Sequence, residues 1–347
     1  MTFSVETVAD LDPEKVDHFL RRCFSAKKCD FLRDHGAWRH RGNENRFGVL
    51  ENRSIVGYFA SIPTEVLVDG EAVQARWWMD LFVPPDQRGR GIQRVTDEAA
   101  KSLPGLHLGF PNHVAAVIHR RHGWGVREDL AVMMMPLRPP AIAQVRQARG
   151  VKGTVLRGAA VLVSPVASLA RGWLSRLSTD VKEMHNAPAW GEMLDSLRRG
   201  IPAGVVTNRC TEAWLRWRFS EYPQREELRY FVIQTGEGQS LVAVTRVSLR
   251  SGEPHVRILS VFGDAGSPKA RQELLLAVAR DAAKRGAAAV TILAGDKRLQ
   301  ASLRGCGFLL QTSARLRWWS SDRDLMNSVS EGSPMFSLAD SDNDTVE

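Results

Sequence analysis

The residues best suited to chemistry lie in one short segment, Arg88-Gly89-Arg90-Gly91, where two arginines alternate with two glycines. Two prolines precede it and end the strand before it, because proline cannot donate to a sheet ladder. The free N–H groups and positive dipole end of a helix N-terminus bind anions, and glycine lets a ligand approach the backbone closely. The segment therefore predicts a phosphate or pyrophosphate site, with the two guanidinium groups adding positive charge.

The elements that must position this loop follow a definite order. An apolar run from Trp77 to Val83 predicts a strand before the loop, and apolar residues at helical spacing begin at Ile92. A short strand over 106–110 comes next, then Pro111-Asn112 and a helical run that ends at Gly123-Trp124. In this order of strand, glycine loop, helix, strand, asparagine, helix and Gly-aromatic pair, the chain resembles the core of the GNAT superfamily of acyl-CoA N-acyltransferases.

The resemblance implies an α/β fold with a mixed sheet, in which two central strands splay apart after the glycine loop. In that family the loop amides hold the pyrophosphate of coenzyme A, and the strand before the loop pairs with the pantetheine arm. Gln93 stands where the family usually has a small residue, and Asn112 either hydrogen-bonds pantetheine or caps the following helix. The acetyl-CoA-binding residues implied for this chain are Leu81, Phe82, Val83, Arg88, Gly89, Arg90, Gly91, Ile92, Gln93 and Asn112.

Acyl transfer to an amine can use a base and an acid, and three side chains are candidates. Asp80 lies in an apolar strand, where an unpaired charge is costly, so it is a base, a site for a cationic acceptor, or the partner of an arginine such as Arg76. Glu65 is the second candidate for the base. His119 stands where relatives carry a tyrosine that protonates the leaving thiolate, and imidazole can do this; the alternative is a basic helix face.

Composition limits the classes of partner. At 347 residues the chain exceeds one typical domain of about 50–200 residues. Its net charge of +8 suits an anionic partner, but the basic residues are scattered, which does not favour nucleic acid. The four cysteines form no C-x-x-C pair and have no histidine at zinc spacing, so no metal site is predicted. With no secretory pattern at Met1, these features predict a cytoplasmic protein with reduced thiols.

The remaining first half predicts a helix starting at Asp12-Pro13, an irregular basic segment from Ser25 to Asn45, and a last strand over 131–137. A two-residue turn at Asp69-Gly70 predicts one hairpin, and Asn52-Arg53 predicts another. The four strands of these hairpins are predicted at Arg46–Leu50, Ile55–Ser61, Val66–Val68 and Val73–Val83.

The second half repeats part of this order, because a strand and a helix again lead to a Gly-aromatic pair, Gly307-Phe308. The segment 262–268 has no Arg-Gly-x-Gly loop, so this half is interpreted as a degenerate GNAT-like domain without coenzyme A. The predicted domains are 1–137 and 201–320, with a helical linker 138–200 and a polar, mobile tail 321–347. The uncharged patch Gly158–Ala170 is too short to span a bilayer; it packs between domains, or contacts a membrane surface through residues 154–177.

Together these features predict an acetyl-CoA-dependent N-acetyltransferase that transfers directly to a primary amine of a small molecule. The phrase Gly109-Phe110-Pro111-Asn112 resembles a branch of the family associated with bacterial polysaccharide loci, which implies an amino-sugar acceptor. Two alternatives remain at this point. One is a coenzyme-A-binding or scaffold protein without turnover, and the other is an aminoacyl transferase of the Fem type, which an intact pyrophosphate loop argues against.

Overall fold

A computed structural model describes residues 2–138, 180–199, 201, 203–235, 239–250, 252–263 and 267–341. The linker segment 154–177, including the uncharged patch, lies outside the described residues. The strands are β1 Ser4–Thr7, β2 Arg46–Glu51, β3 Ser54–Val68, β4 Glu71–Phe82, β5 Leu106–Gly109, β6 Gly125–Pro136, β7 Lys182–Met184, β8 Val205–Asn208, β9 Leu228–Thr235, β10 Gln239–Arg250, β11 Glu253–Gly263, β12 Ala289–Ala294, β13 Leu309–Trp319 and β14 Ser333–Pro334.

Helices pack on both faces of these strands. The predicted start of the first one is confirmed, since Asp12 caps it by accepting a hydrogen bond from the N–H of Glu14 and Pro13 is its first residue. The helices are α1 Pro13–Cys23, α2 Ala26–His40, α3 Ile92–Lys101, α4 His113–Arg121, α5 Trp190–Arg199, α6 Glu212–Leu215, α7 Pro268–Lys284, α8 Lys297–Gly305 and α9 Arg323–Glu331.

One mixed sheet runs through both halves of the described chain. Its strand order is β1-β2-β3-β4-β5-β13-β6-β12-β11-β10-β9-β7, and β8 pairs with the end of β3 and with β14. The pairs β4–β5, β11–β12 and β8–β14 are parallel, and the others are antiparallel. Strand β13, from the second half, therefore lies between β5 and β6 of the first half. The two halves share a sheet and cannot be separated without breaking it.

Both predicted hairpin turns are confirmed, but two of the predicted strands are one. β3 and β4 join at Asp69-Gly70, and β2 and β3 join at Asn52-Arg53, with positive φ at all four turn residues. The strands predicted at 55–61 and 66–68 are continuous in β3, across Pro63. Strand β2 pairs with β3 only up to Ala60, and β8 pairs only from Val66, so proline occupies a stretch of edge without a partner strand.

Three further predictions are corrected. The segment predicted as irregular between Ser25 and Asn45 contains α2, whose apolar residues do not gather on one face, so helical periodicity could not reveal it. Strand β6 begins at Gly125 and not at Ala131, because it must follow β13 along most of its length. The tail is not mobile over 321–341: it forms α9 and β14, and Phe336 is 2% exposed, edge-on to Trp77 with ring centroids 4.9 Å apart.

Candidate functional site: a slot between two splayed strands

A slot opens where β4 and β5 stop pairing. The two strands are hydrogen-bonded in parallel only between Ala75–Trp77 and Leu106–Leu108. Beyond Trp77, β4 continues to Phe82, whereas β5 ends at Gly109, whose other neighbour is β13. The predicted splay of two central strands is therefore confirmed. The backbone of β4 along the slot, including the half-buried residues 81–83, has no strand partner on the β5 side in the described chain.

The glycine loop lies open at the outer end of this slot. A turn of 3-10 helix, Pro85–Gln87, leads into it, and Gly91 caps α3 with φ of 85°. Within the described residues, the N–H groups of Gly91, Ile92 and Gln93 donate no backbone hydrogen bond; the first helical bonds come from the two following N–H groups to the Gly91 carbonyl. A Cβ added at Gly91 would meet no atom within 4 Å. These unused donors and this space are what an anion at a helix N-terminus requires.

The polar side chains of the loop differ in their contacts. Arg88 is exposed and donates from Nε to the carbonyl of Val83 at 3.2 Å. Arg90 is directed toward Glu51, with 2.5 Å between Nη2 and the carboxylate, and also contacts Gln87. The amide of Gln93 lies 3.5 Å from both Thr96 Oγ1 and Asp97 Oδ1, along its own helix. Gln93 therefore does not cover the loop. Of the two arginines, Arg88 is the better placed to contact an anion at the loop.

A β-bulge marks the inner part of the slot. Asp80 and Leu81 of β4 stand opposite the single residue Phe59 of β3, and Asp80 has φ of 53°. A bulge leaves one residue outside the ladder and changes the direction of the strand. The bulge therefore turns the Asp80 side chain out of the sheet toward α2, and it leaves backbone groups at Leu81 outside regular pairing.

The carboxylate of Asp80 is buried beside three side chains of α2, of which Lys28 and Arg39 are cationic. Lys28 Nζ lies 2.6 Å from Oδ1, and Arg39 Nη2 and His40 Nε2 lie 3.6 Å and 3.5 Å from Oδ2. Burial alone would raise the pKa of Asp80, but the charges of Arg39 and Lys28, with His40 close by, outweigh it and hold the pKa well below its usual range. The partner predicted for an ion pair, Arg76, instead donates to Asn45 at 2.8 Å.

Asn112 caps a helix in the described structure, and Glu65 lies far from Asp80. The side-chain oxygen of Asn112 accepts from the N–H of Ala115 at 2.9 Å, which is the helix-capping alternative. Glu65 pairs with Arg209 at 3.0 Å and accepts from Gln74 at 3.0 Å. Gln74 precedes Asp80 by six residues of β4, which is roughly 20 Å of strand, so the fold does not bring Glu65 and Asp80 together.

His119 belongs to a buried cluster that the sequence did not indicate. Its Nδ1 lies 3.3 Å from Asp97 Oδ1 and 2.8 Å from Arg317 Nη1, and Nη1 also contacts Nε2. Asp97 further contacts His122, and the Arg317 guanidinium lies 4.4 Å from the centre of the Trp124 ring. Burial lowers the pKa of His119, and although Asp97 opposes this, the charge of Arg317 lowers it further. The one sequence signal for Arg317 is its place inside the apolar run 316–319.

The second half also contains two parallel strands that separate, but it lacks the glycine loop. β11 and β12 pair in parallel from His255–Ile258 to Ala289–Ile292 and then separate, with α7 between them in sequence. The gap is occupied by the chain's own residues 335–337, and Pro334 O would lie 2.2 Å from a Cβ at Gly295. A partly open cavity of about 80 Å³ remains beside them. This segment therefore narrows the gap between the two strands.

Residues 4–127 match the family described as an acetyltransferase (GNAT) domain. No curated protein matches the chain. Among solved structures, N-myristoyltransferase of Saccharomyces cerevisiae with bound myristoyl-CoA is 14% identical, with a TM-score of 0.56 over 91% of this chain and 78% of that chain.

Two bacterial structures are also similar. A GCN5-related N-acetyltransferase from Anabaena variabilis is 15% identical, with a TM-score of 0.56 over 91% of this chain and 72% of that chain. Another from Kribbella flavida is 14% identical, with a TM-score of 0.52 over 91% and 71%. At these identities the likeness shows the fold, and the predicted GNAT fold is confirmed.

Proposed function

We propose, for a chain that carries a GNAT N-acyltransferase domain in residues 4–127, that the protein transfers an acetyl group from acetyl-CoA to a primary amine of a small molecule. The observation that carries the proposal is the slot beyond Trp77, with the unused N–H groups of Gly91, Ile92 and Gln93 at its outer end. The pyrophosphate would bind these N–H groups, and pantetheine would pair with the free edge of β4. Acyl transfer would then follow from positioning and from a backbone donor at the bulge that polarises the thioester carbonyl.

The packing beside the slot favours a short acyl group. A cavity lined by Met79, Leu81 and Arg317, together with residues of α3, is about 10 Å³, about the space of one water-sized probe. A long acyl chain would have to displace packed side chains, at a cost of about 2–3 kcal/mol or more. We therefore expect kcat/KM with acetyl-CoA to exceed that with myristoyl-CoA by at least about 10²-fold. Release of coenzyme A thiol from the two donors measures the ratio, and equal values would contradict the acetyl assignment.

The two loop arginines are expected to contribute unequally. Removing a charge-assisted hydrogen bond costs about 1.5–3 kcal/mol, so Arg88→Ala should weaken acetyl-CoA binding about tenfold or more. Arg90→Ala should change it less than about threefold, because the Arg90 guanidinium is held by Glu51. Calorimetric titration of each variant and of the pair is the measurement. A larger loss with Arg90→Ala would show that the side chain leaves Glu51 when the cofactor binds.

An amino sugar is the acceptor we propose first. Its support is the resemblance of Gly109-Phe110-Pro111-Asn112 to the polysaccharide-associated branch of the family. A panel of amino sugars, polyamines and amino acids, assayed with acetyl-CoA as donor, tests this choice. Turnover of another amine, with none of any amino sugar, would overturn the amino-sugar assignment and leave N-acetyl transfer intact.

The two alternatives predict different binding results. A Fem-type aminoacyl transferase takes its donor from tRNA, so it should not bind acetyl-CoA, whereas a scaffold protein could bind it without turnover. The direction of Gln93, away from the loop, does not support a blocked site. Titration with acetyl-CoA followed by the amine panel separates all three functions.

We further infer that the second half is a degenerate GNAT-like domain that binds no coenzyme A, with domain limits near 1–137 and 201–320. The occupied gap between β11 and β12 supports this inference. We place the protein in the cytoplasm, where acyl-CoA is available; the cysteines of the described residues are unpaired thiols, which suits a reducing compartment. No helix of the described residues is long and apolar enough to cross a membrane.

A further inference from the structure

Arg317 reaches the inner end of the slot from the second half of the chain. It lies on β13 directly opposite Gly109, the last residue of β5, and is 7% exposed. Its side chain lines the same small cavity as Met79 and Leu81 of β4. A Cβ at Gly109 would lie 2.7 Å from Arg317 Nε and 3.4 Å from Nη2, and 3.1 Å from the carbonyl oxygen of Trp78. The guanidinium therefore lies where β4 and β5 begin to separate, in space that a side chain at position 109 would fill.

Part of this guanidinium has no partner in the described chain. Nη1 donates to Nε2 of His119, and the guanidinium plane lies over Trp124 at 4.4 Å. The nearest carboxylate oxygen, Asp97 Oδ1, is 3.8 Å from Nη1, which balances charge without a hydrogen bond. No hydrogen bond links Nε–H or Nη2–H to any described residue. An arginine remains charged even when buried, so these two donors stand beside the slot with no partner among the described residues.

The contacts of His119 favour Arg317 over His119 as the group that meets the sulfur. Asp97 only accepts hydrogen bonds, so the His119 nitrogen facing it carries a hydrogen; Arg317 only donates, so the nitrogen facing it carries none. The imidazole is then neutral, and both its nitrogens are engaged within the cluster. It has no proton to give to a thiolate at neutral pH, whereas the adjacent guanidinium has two free donors.

We propose that Arg317 is a catalytic residue that stabilises the coenzyme A thiolate as it leaves; this inference rests on the acetyltransferase function proposed above. The amine nitrogen attacks the thioester carbonyl carbon, and the C–S bond breaks with its electron pair on sulfur. Nε–H and Nη2–H of Arg317 donate to the thiolate and transfer no proton. The amine loses one proton in forming the amide, and the thiolate gains one from solvent, so the products are the acetylated amine and coenzyme A thiol.

Binding of the product analogues tests this role without knowledge of the acceptor. Coenzyme A and desulfo-coenzyme A differ only in the sulfur, and titration of the wild-type protein with both across pH 6–9 isolates the sulfur contact. We expect coenzyme A to bind about tenfold more tightly at high pH, with the difference growing as thiolate forms, because an adjacent guanidinium lowers a thiol pKa. The other ionisable side chains facing Arg317, which are Asp97, His119 and His122, are present with both ligands, so any effect of theirs that does not act through the sulfur cancels in the ratio.

The Arg317→Met variant should lose this preference while its affinity for acetyl-CoA changes less than about threefold. Its kcat should fall about 10²-fold or more, as on loss of other transition-state donors. Arg317→Lys should restore part of the preference, since it keeps the charge and loses the planar pair of donors. Arg315→Met is the matched control: it removes the same charge from the same strand, where Arg315 pairs with Glu128 at 3.2 Å, and should bind like wild type.

The outcomes distinguish the role of Arg317 from the acetyltransferase function. An Arg317→Met protein that melts like wild type, binds acetyl-CoA and keeps the preference for coenzyme A would overturn the role of Arg317 alone. If Arg317→Met does not fold, the wild-type protein and Arg317→Lys decide the question. No pH-dependent preference for coenzyme A in the wild-type protein, or a preference in Arg317→Lys as large as in the wild type, would overturn the role of Arg317. Failure of the wild-type protein to bind acetyl-CoA would overturn the acetyltransferase proposal, and the role of Arg317 with it.

Discussion

Replacement of Gly91 by tryptophan is expected to abolish acetyl-CoA binding and to leave the folded protein intact. Gly91 has φ of 85°, is exposed, and has no atom within 4 Å of its added Cβ, so the indole would extend into the space above the N-terminus of α3. The pyrophosphate would occupy that space if the loop amides bind it. A loss of more than about 10³-fold in affinity, about 4 kcal/mol, is the expected result in a calorimetric titration.

The control for this variant is Gly70→Trp. Gly70 lies in the β3–β4 turn with φ of 86° and is equally open, so the backbone strain, about 1–2 kcal/mol, should be the same in both proteins. Gly70→Trp should therefore lower thermal stability as much as Gly91→Trp and bind acetyl-CoA normally. Normal binding by Gly91→Trp would remove the loop from the cofactor site and with it the basis of the proposed activity.

Replacement of Asp80 by asparagine is expected to destabilise the protein by about 3–5 kcal/mol, because it removes the buried carboxylate that balances the charges of Lys28 and Arg39. Denaturant unfolding of the two proteins measures the difference. Asp34→Asn is the control, since Asp34 forms an exposed pair with Arg33 and should matter little. If Asp80 is instead the catalytic base, the variant should keep its stability and lose turnover with unchanged affinity for acetyl-CoA.

The Asp80 carboxylate also determines how the free energy of unfolding should change at acid pH. The pKa of Asp80 in the folded protein is held below its ordinary value, so its stabilising contribution is complete above the unfolded-state pKa of about 3.9. That contribution is lost as the pH falls through the lower, folded-state pKa. The gap in unfolding free energy between wild type and Asp80→Asn should therefore be constant above about pH 5 and shrink below about pH 4. A gap that changes between pH 6 and 8 would contradict this assignment.

The loop and the elements around it are determined by the sequence alone, because each depends on local backbone preferences. Proline ends β4 before Pro85–Gln87, glycine permits the positive φ of Gly91, and apolar spacing marks α3. The turn at Asp69-Gly70 depends on the same local rule. These features predicted the GNAT fold and the slot, and both are confirmed.

The helix α2 and the tail depend on burial from several sides, which no periodic pattern records. α2 packs against the sheet and carries the cations around Asp80, so its buried residues include Arg39 and His40. The tail reaches the core through a few apolar residues such as Phe336, while most of the other residues of the tail are polar. A composition-based prediction averages over such residues and misses them.

The charged neighbours of the slot were decided by tertiary structure alone. Arg317 meets Gly109 and His119 because β13 is inserted between β5 and β6, a pairing between strands far apart in the chain. Asp80 meets Lys28 and Arg39 because a bulge turns it toward α2. Local preferences specify which backbone conformations are available, whereas contacts between distant segments are selected by the packing of the whole sheet, and electrostatics at the slot follow from those contacts.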